Sequence, residues 1–299
     1  MNKIIIAAMT AATMSCSAIP EPDIHTENRS ERNLIINSVE VATTKSLYTA
    51  SRLEGDFGVM LTSKGSTDRY DGLDYTNVRF ISNGNSVSSP DSQIRLSSTE
   101  GTLYSYYPYS KTVDDFRKIP VSVNGNIQTD HMYGTPVTRL NNSNASTVIK
   151  MNHALAAIRI TIIKGTYSGN GVISKVAVSG ESLATEAYLD ATTGRLSSFK
   201  GMGSEIFTPM NTSPAETLSE SGTQKHFMII PTGESRPITV TVTIDGVDFT
   251  ATAPEIDLAE GTITSYSVTV NSRDFNLSKG YVTPWVTGIQ NNYEFEAYQ

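Results

Sequence analysis

Apolar and polar residues alternate along most of the chain, and this period of two predicts β-strands. The clearest run is Ile238 to Ile244, which is followed by Asp245-Gly246 and a second run from Val247 to Ala251. A two-residue Asp-Gly turn suits the twist of a β-hairpin. One face of this hairpin is apolar and the other carries Thr and Asp, which predicts an antiparallel pair with one buried face. The expected partners are Ile244 with Val247, Val242 with Phe249, and Val240 with Ala251.

Similar alternation recurs along the chain, with turn residues about every ten positions. Further alternating runs are Leu34 to Val41, Ile158 to Ile162 and Tyr266 to Val270. Phe227 to Ile230 is continuously apolar, which predicts a central strand. Ala154 to Ile158 fits the start of a helix, but the β-branched residues Ile160 to Ile163 favour a strand. With no long amphipathic helix in the pattern, the sequence predicts an all-β fold.

The N-terminus has the pattern of an export signal. Lys3 precedes an apolar stretch from Ile4 to Ala12, and small residues then lead to Cys16, the single cysteine of the chain. A lone thiol cannot form an intramolecular disulfide, so we predict a lipoprotein signal peptide over residues 1–15 and lipid attachment at Cys16. Thr13 stands where lipoproteins usually carry an aliphatic residue, which leaves ordinary signal cleavage nearby as the alternative. Residues 16–33 contain two prolines and many polar residues, as a flexible leash would.

Length and charge narrow the class of protein. Of the 299 residues, those that remain after the signal peptide are too many for one ordinary core, which favours two domains. The polar cluster Asn141 to Ser146 predicts their boundary, giving an N-terminal domain over residues 34–146 and a C-terminal one over residues 147–299. The net charge of −7 includes no basic block, which argues against a nucleic-acid partner.

Several landmarks, in order along nearly the whole chain, resemble the fimbrillin family of Bacteroidales, the lipoprotein precursors of type V pili. No single landmark is specific, but their order and spacing together are. After the lipoprotein signal they are Val41-Ala-Thr-Thr-Lys45, Gly55-Asp-Phe-Gly-Val59, Tyr104-Ser-Tyr-Tyr-Pro-Tyr109, Asp130-His-Met-Tyr-Gly134, Asn152-His-Ala-Leu-Ala-Ala-Ile158, Phe227-Met-Ile-Ile-Pro231 and Pro284-Trp285.

The resemblance implies two tandem transthyretin-like β-sandwich domains and a structural role in surface fimbriae as a stalk or accessory subunit, a tip adhesin or an anchor. In that family the precursor reaches the outer membrane as a lipoprotein, and a surface protease cuts after an Arg beyond the first strand. The vacated groove then accepts a strand from another fimbrial subunit. Adhesion to a host glycan or protein ligand is a further expectation. The family implies no catalysis and no cofactor.

Two segments are candidates for strand exchange. The displaced strand would be Leu34 to Val41, for which alternation predicts Ile35, Val39 and Val41 on one face and Leu34 and Ile36 on the other. The donor would be the C-terminal tail, where Tyr293, Phe295 and Ala297 alternate with polar residues. The alternatives are a permanent first strand and a last strand that stays in its own domain.

The cut site departs from the family pattern. Thr44-Lys45 stands where the family has Thr-Arg. A protease that recognises the planar, bidentate guanidinium group of Arg does not treat Lys as equivalent. The nearest arginine is Arg52. Lys45 and Arg52 are therefore the candidate processing sites, and an uncut chain would keep its lipid and act as an anchor.

An enzyme is the competing class, and the sequence offers little for it. The four histidines have no metal-ligand spacing, and we expect His153 to be a hydrogen-bonded residue at a domain edge. Asp130 and His131 are neighbours on a predicted strand, so their side chains point apart and cannot form a dyad with each other. Asp68, Asp71 and Asp74 lack the alternate spacing of a calcium loop and indicate a solvated turn. Two carboxylate pairs, Asp114-Asp115 and Glu294/Glu296, leave only a weak glycosidase hypothesis.

A third class is a surface lipoprotein that binds carbohydrate without polymerising. It rests on the aromatic residues Tyr70, Tyr75, Tyr104, Tyr106, Tyr107 and Tyr109, since exposed rings stack on sugars. We expect instead that Tyr104 and Tyr106 share one buried strand face and that Tyr107 lies on the opposite face.

Overall fold

A computed structural model of the protein describes residues 30–41, 52–123, 129–209, 215–256, 258–272 and 275–284. These residues form 22 β-strands and no helix, which confirms the all-β prediction. Consistently, this part of the chain offers no apolar helix of membrane-spanning length.

Eleven strands precede residue 154, and most of them form one large sheet. They are β1 Arg32–Asn33, β2 Ile35–Val41, β3 Glu54–Ser63, β4 Val78–Asn83, β5 Val87–Ser88, β6 Arg95–Leu96, β7 Gly101–Tyr107, β8 Ile119–Ser122, β9 Met132–Gly134, β10 Val137–Leu140 and β11 Ser146–His153. The eight-stranded sheet has the order β2-β11-β9-β7-β3-β4-β5, with β10 also paired to β7, while β1 pairs with β6. The two ends of the path, β2 and β5, contact each other, so the sheet curls around its core.

The remaining strands form a sandwich. They are β12 Ala156–Lys164, β13 Ile173–Ser179, β14 Leu183–Ala184, β15 Glu186–Leu189, β16 Leu196–Lys200, β17 Ile206–Pro209, β18 Thr223–Pro231, β19 Arg236–Ile244, β20 Val247–Ile256, β21 Thr262–Val270 and β22 Phe275–Pro284. One sheet has the order β14-β18-β12-β21-β22 and the other β17-β13-β19-β20. A third sheet, β16-β15-β8, takes its strand β8 from the first half of the chain.

Two hydrophobic cores lie inside these sheets. The N-terminal core holds Phe57, Val59, Phe80 and their neighbours, together with the buried residues of β2. The C-terminal core fills the space between the two sandwich sheets. The described residues from Glu31 onward belong to one compact unit.

Strand β7 contributes to both cores. Tyr106 points into the C-terminal core, against which Tyr104 also packs, while Tyr107 belongs to the N-terminal core. This confirms the predicted faces of the three tyrosines. The domain limits at residues 34–146 and 147–299 stay a prediction; β11 continues the large sheet to His153, and β12 begins the sandwich at Ala156.

The hairpin predicted from the Asp-Gly turn is confirmed. The register of β19 and β20 pairs Ile244 with Val247, Val242 with Phe249, and Val240 with Ala251. Asp245 and Gly246 both have positive φ, at 50° and 79°, as the tight turn requires. Val247 is exposed although its partner Ile244 is buried. Phe227 to Ile230 is fully buried in β18, beside the central strand β12.

Candidate strand-exchange groove

Strand β2, the candidate displaced strand, lies at one end of the large sheet. It pairs in parallel with β11, from Ile35 opposite Ser146 to Val41 opposite Met151. On the other side its contacts are few: the Leu53 N–H donates to the Val39 carbonyl at 2.9 Å, and Glu40 forms a single bridge with Arg52. Withdrawing β2 would therefore open a groove between β11 and residues 52–53 without breaking any other strand pair of the sheet.

The predicted faces of this strand are wrong. Leu34, Ile36, Val39 and Val41 are all buried in the N-terminal core, whereas Ile35 is 57% exposed. The reason is a β-bulge: Ile36 pairs with Thr147 and Ser38 with Val148, so the register passes over Asn37. One extra residue reverses the alternation of side chains along a strand. The residues predicted for opposite faces, Leu34 and Ile36 before the bulge and Val39 and Val41 after it, therefore lie on the same buried face.

The two candidate processing sites differ in what the structure describes. Lys45 lies outside the described residues. Arg52 is exposed, but its Nη1 donates to the Gly84 carbonyl at 3.2 Å, and Leu53, the next residue, is fully buried. The Leu53 carbonyl also accepts a hydrogen bond from Ser82 Oγ at 2.6 Å. The Arg52–Leu53 peptide bond is thus built into the sheet.

The lipidation site Cys16 and the candidate donor residues Tyr293, Phe295 and Ala297 lie outside the described residues. Their roles stay predictions from the sequence.

A buried contact that the sequence did not predict joins two of the family landmarks. Asp130 Oδ2 and His153 Nδ1 are 2.7 Å apart, and both side chains are almost completely buried. The backbones meet there as well, since the Ala154 N–H donates to the His131 carbonyl at 2.8 Å. Asp130 thus does contact a histidine, although not its neighbour, and His153 is the hydrogen-bonded residue that the sequence predicts.

Burial controls the pKa values around this contact. Desolvation lowers the pKa of His131 to about 4, opposed by the nearby charge of Asp130. Burial, with a smaller contribution from Asp130, raises the pKa of Tyr107 to about 12. These groups lie inside the fold rather than in a cleft, so the arrangement stabilises structure instead of presenting an acid and a base to a substrate.

The aromatic candidates for sugar binding are not exposed. Tyr70, Tyr106 and Tyr107 are buried, and Tyr75, Tyr104 and Tyr109 are half-buried against the cores. Tyr70 uses its hydroxyl to donate to the Thr99 carbonyl at 2.7 Å. No aromatic platform for a sugar arises from these six residues.

Each of the three acidic residues Asp68, Asp71 and Asp74 contacts another polar side chain of the fold. Asp68 accepts from Ser66 Oγ at 2.6 Å, Asp74 pairs with Arg69 at 3.3 Å, and Asp71 accepts from Ser97. The residues that the structure describes contain no group of His, Cys, Asp and Glu side chains suited to hold a metal ion.

A family model described as fimbrillin-like matches residues 44–285, most of the chain. The chain belongs to the fimbrillin-like family. This membership supports a role as a fimbrial subunit at the cell surface and suggests a structural rather than an enzymatic protein. Among curated proteins, no significant sequence match is found.

Three solved structures of similar fold come from Bacteroides species. A putative cell adhesion protein from Bacteroides ovatus has a TM-score of 0.70 at 18% identity, over 87% of this chain and 100% of that one. A putative cell adhesion protein from Bacteroides uniformis has a TM-score of 0.62 at 18% identity, over 85% and 99% of the two chains. A fimbrial protein from Bacteroides vulgatus has a TM-score of 0.54 at 13% identity, over 85% and 100%. At these identities the similarity shows the fold alone.

Proposed function

We propose that this protein is a subunit of cell-surface fimbriae that joins a neighbouring subunit by donor-strand exchange. The observation that carries the proposal is the position of β2: it is the first long strand of the described chain, it lies at the end of its sheet, and one face of it fills a core. Such a strand can leave and be replaced without rearrangement of the other strands of its sheet, although the short strand β1 on the same segment would leave with it and give up its pairing with β6.

The energetics favour exchange over an empty groove. Loss of β2 and the adjoining Leu34 would uncover the apolar surface beneath four buried side chains and a row of unpaired β11 backbone groups. Each buried Leu, Ile or Val contributes on the order of 1.5–3 kcal/mol, and open strand edges recruit other strands. A replacing strand would therefore bind tightly, and its release would be slow.

Maturation is proposed to begin with export, lipid attachment at Cys16 and anchoring in the outer membrane. A surface protease that accepts Lys would then cut after Lys45. Cleavage at Arg52 is disfavoured because proteases bind an extended, freely accessible segment, whereas Leu53 is buried and its backbone N–H and carbonyl are both hydrogen-bonded within the sheet.

The test is N-terminal sequencing and intact mass of the protein from native outer membranes and from sheared surface fibres. We expect an acylated Cys16 start in the membrane and a Ser46 start in the fibres. An acylated Cys16 start in the fibres would contradict cleavage and strand exchange, and would make the protein an anchor.

Two matched variants separate the processing sites. Lys45→Ala should abolish the Ser46 start and exclude the protein from fibres, whereas Arg52→Ala should leave both unchanged. The opposite result would move the cut to Arg52 and would require β2 and Leu53 to separate before cleavage.

Adhesion is proposed as a contribution of the assembled fibre. Two structures of similar fold are described as putative cell adhesion proteins, which supports this extension. The tail with Tyr293, Phe295 and Ala297 is the proposed donor toward the next subunit, and its alternating pattern is the support for that role. The carbohydrate-binding hypothesis is not favoured, because the six tyrosines on which it rests are buried or half-buried.

A further inference from the structure

The bulge in β2 belongs to the strand and not to the groove that holds it. Along β11, the consecutive residues Ser146, Thr147, Val148 and Ile149 all have partners. Their partners on β2 are Ile35, Ile36, Ser38 and Val39. The wall of the groove is therefore regular, and Asn37 is one residue more than the wall can pair.

The extra residue sets the spacing of the buried side chains. Leu34 and Ile36 are two residues apart, Val39 follows after three, and Val41 after two more. A regular strand would reach the same four buried positions with apolar residues at i, i+2, i+4 and i+6. Such a strand would keep every pair that β2 makes with β11 and would need one residue fewer.

The outer face of the groove adds a charge preference. Lys150 on β11 is exposed, and the register places Glu40 of β2 opposite it. Opposite charges on paired strands stabilise a sheet, whereas like charges destabilise it. A replacing strand is thus favoured when it carries an acidic residue at the outward position that Glu40 holds in β2, between the last two buried positions.

Resting on the proposed exchange, we infer that the groove is built for a strictly alternating strand of a neighbouring subunit, running parallel to β11, and that Asn37 makes the resident strand the weaker occupant. Bulges in natural sheets are built-in features that disrupt the ladder locally. Here the bulge lowers the affinity of the strand that has to leave, while the regular wall favours the strand that replaces it.

The experiment uses the full-length chain with a sequence-specific protease site inserted between Lys45 and Ser46. After cleavage, a fluorescent label on the N-terminal fragment reports its displacement by added peptides. The first peptide copies residues 31–41, and the second is the same peptide without Asn37. The third matches the second in length and composition, but Ile36 and Ser38 are exchanged, so that a polar residue takes a buried position.

We expect the peptide without Asn37 to displace the fragment at about tenfold lower concentration than the copy, the equivalent of about one backbone hydrogen bond. The exchanged peptide should be the weakest. Equal potency of the first two peptides, or a potent exchanged peptide, would overturn the spacing inference while strand exchange itself stands. Failure of all three peptides to displace the fragment would instead contradict the proposed function, and with it the inference.

A second measurement does not depend on cleavage. Deletion of Asn37 in the intact chain should raise the denaturant concentration at the midpoint of unfolding, because all other β2 pairs keep their register. A lower midpoint would show that the groove requires the bulge and would overturn the inference.

Discussion

At the scale of single residues, the contact between Asp130 and His153 is a short polar contact inside the fold. The pair is almost fully buried, and its members come from the two strands β9 and β11 or their immediate neighbours. Removing one partner of a buried hydrogen-bonded contact leaves the other polar group unsatisfied, which costs more than the loss of a surface pair. The pair thus fixes the end of the large sheet, from which the chain passes into the sandwich.

We predict that Asp130→Ala lowers the free energy of unfolding by about 1–3 kcal/mol, the usual cost of leaving a buried hydrogen-bonding group unsatisfied. Asp130→Asn should cost less, because the amide oxygen still accepts from His153 Nδ1. Urea unfolding of the two variants checks this, with Asp114→Ala at an exposed position as the control. An Asp130→Ala variant as stable as the control would show that the contact contributes nothing.

Two buried histidines predict how stability depends on pH. Burial lowers the pKa of His226 to about 4, with Arg159 and Lys225 adding to the effect, and His131 is lowered to a similar value. The neutral ring of His226 accepts a hydrogen bond from Arg159 Nε at 2.9 Å. Because the folded-state pKa lies below the ordinary value near 6.5, the unfolded chain binds more protons between these two values, and stability is lost as the pH falls through that window.

We therefore predict falling stability from about pH 6.5 to about pH 4, with at most about 3.5 kcal/mol from each histidine, since one pKa unit corresponds to about 1.4 kcal/mol. A double variant, His131→Gln with His226→Gln, should show a flatter dependence, because Gln does not titrate and can still accept from Arg159. Urea unfolding at a series of pH values measures the slope. Stability at pH 7.5 serves as the reference, and an unchanged slope would contradict the assignment.

At the scale of elements, several of the landmarks that carry the family resemblance contact each other. Gly58 on β3 pairs with Tyr106 on β7, and a Cβ at Gly58 would lie 2.0 Å from the Tyr106 ring. The Tyr109 N–H donates to the Asp56 carbonyl at 2.9 Å in the same region. Position 58 therefore requires glycine because the Tyr106 ring lies directly against its backbone, and not because of a turn. The order of motifs along the sequence thus reflects a set of strand contacts.

We predict that Gly58→Ala lowers the free energy of unfolding by about 1–3 kcal/mol, the usual cost of overpacking. The same change should cost less than about 0.5 kcal/mol in a Tyr106→Ala background, because the obstructing ring is gone. A double-mutant cycle by urea unfolding provides this comparison and its own control. Additive effects would show that the ring is not the cause.

At the scale of the whole molecule, the two cores are linked by shared strands. Tyr106, Phe116, Ile119 and Val121 precede β11 in the sequence but belong to the C-terminal core. Strand β8 pairs with β15 of the second half, and β7 has one face in each core. The halves are therefore interlocked through these shared strands.

We predict that the two cores unfold together. Hydrogen exchange measured by mass spectrometry at increasing urea should show the same midpoint for peptides around Val59 and around Ile160, since β7 has one face in each core and loses packing when either core is lost. Midpoints that differ by more than the measurement error would show two independently stable halves.

The sequence predicted the strands where periodicity was strong and a turn was explicit. The hairpin from Ile238 to Ala251 is the best example, because an Asp-Gly turn fixes its register. The prediction from the sequence failed at β2, because alternation within one strand cannot reveal an extra residue. The bulge at Asn37 is defined only by the pairing with β11, which lies more than 100 positions away. The contact of Asp130 with His153 was missed for the same reason, since their 23-residue separation becomes a contact only when β9 and β11 pair.

The sequence by itself determined the all-β class, the family and the candidate segments for export, cleavage and exchange, because these depend on local patterns of apolar, polar and turn residues. Only the tertiary structure decided which face of β2 is buried, that Leu53 is held within the sheet, and that Tyr106 and Phe116 pack in the C-terminal core. Those facts depend on which strands become neighbours, and burial over long sequence separations, rather than local preference, selects the neighbours of a strand.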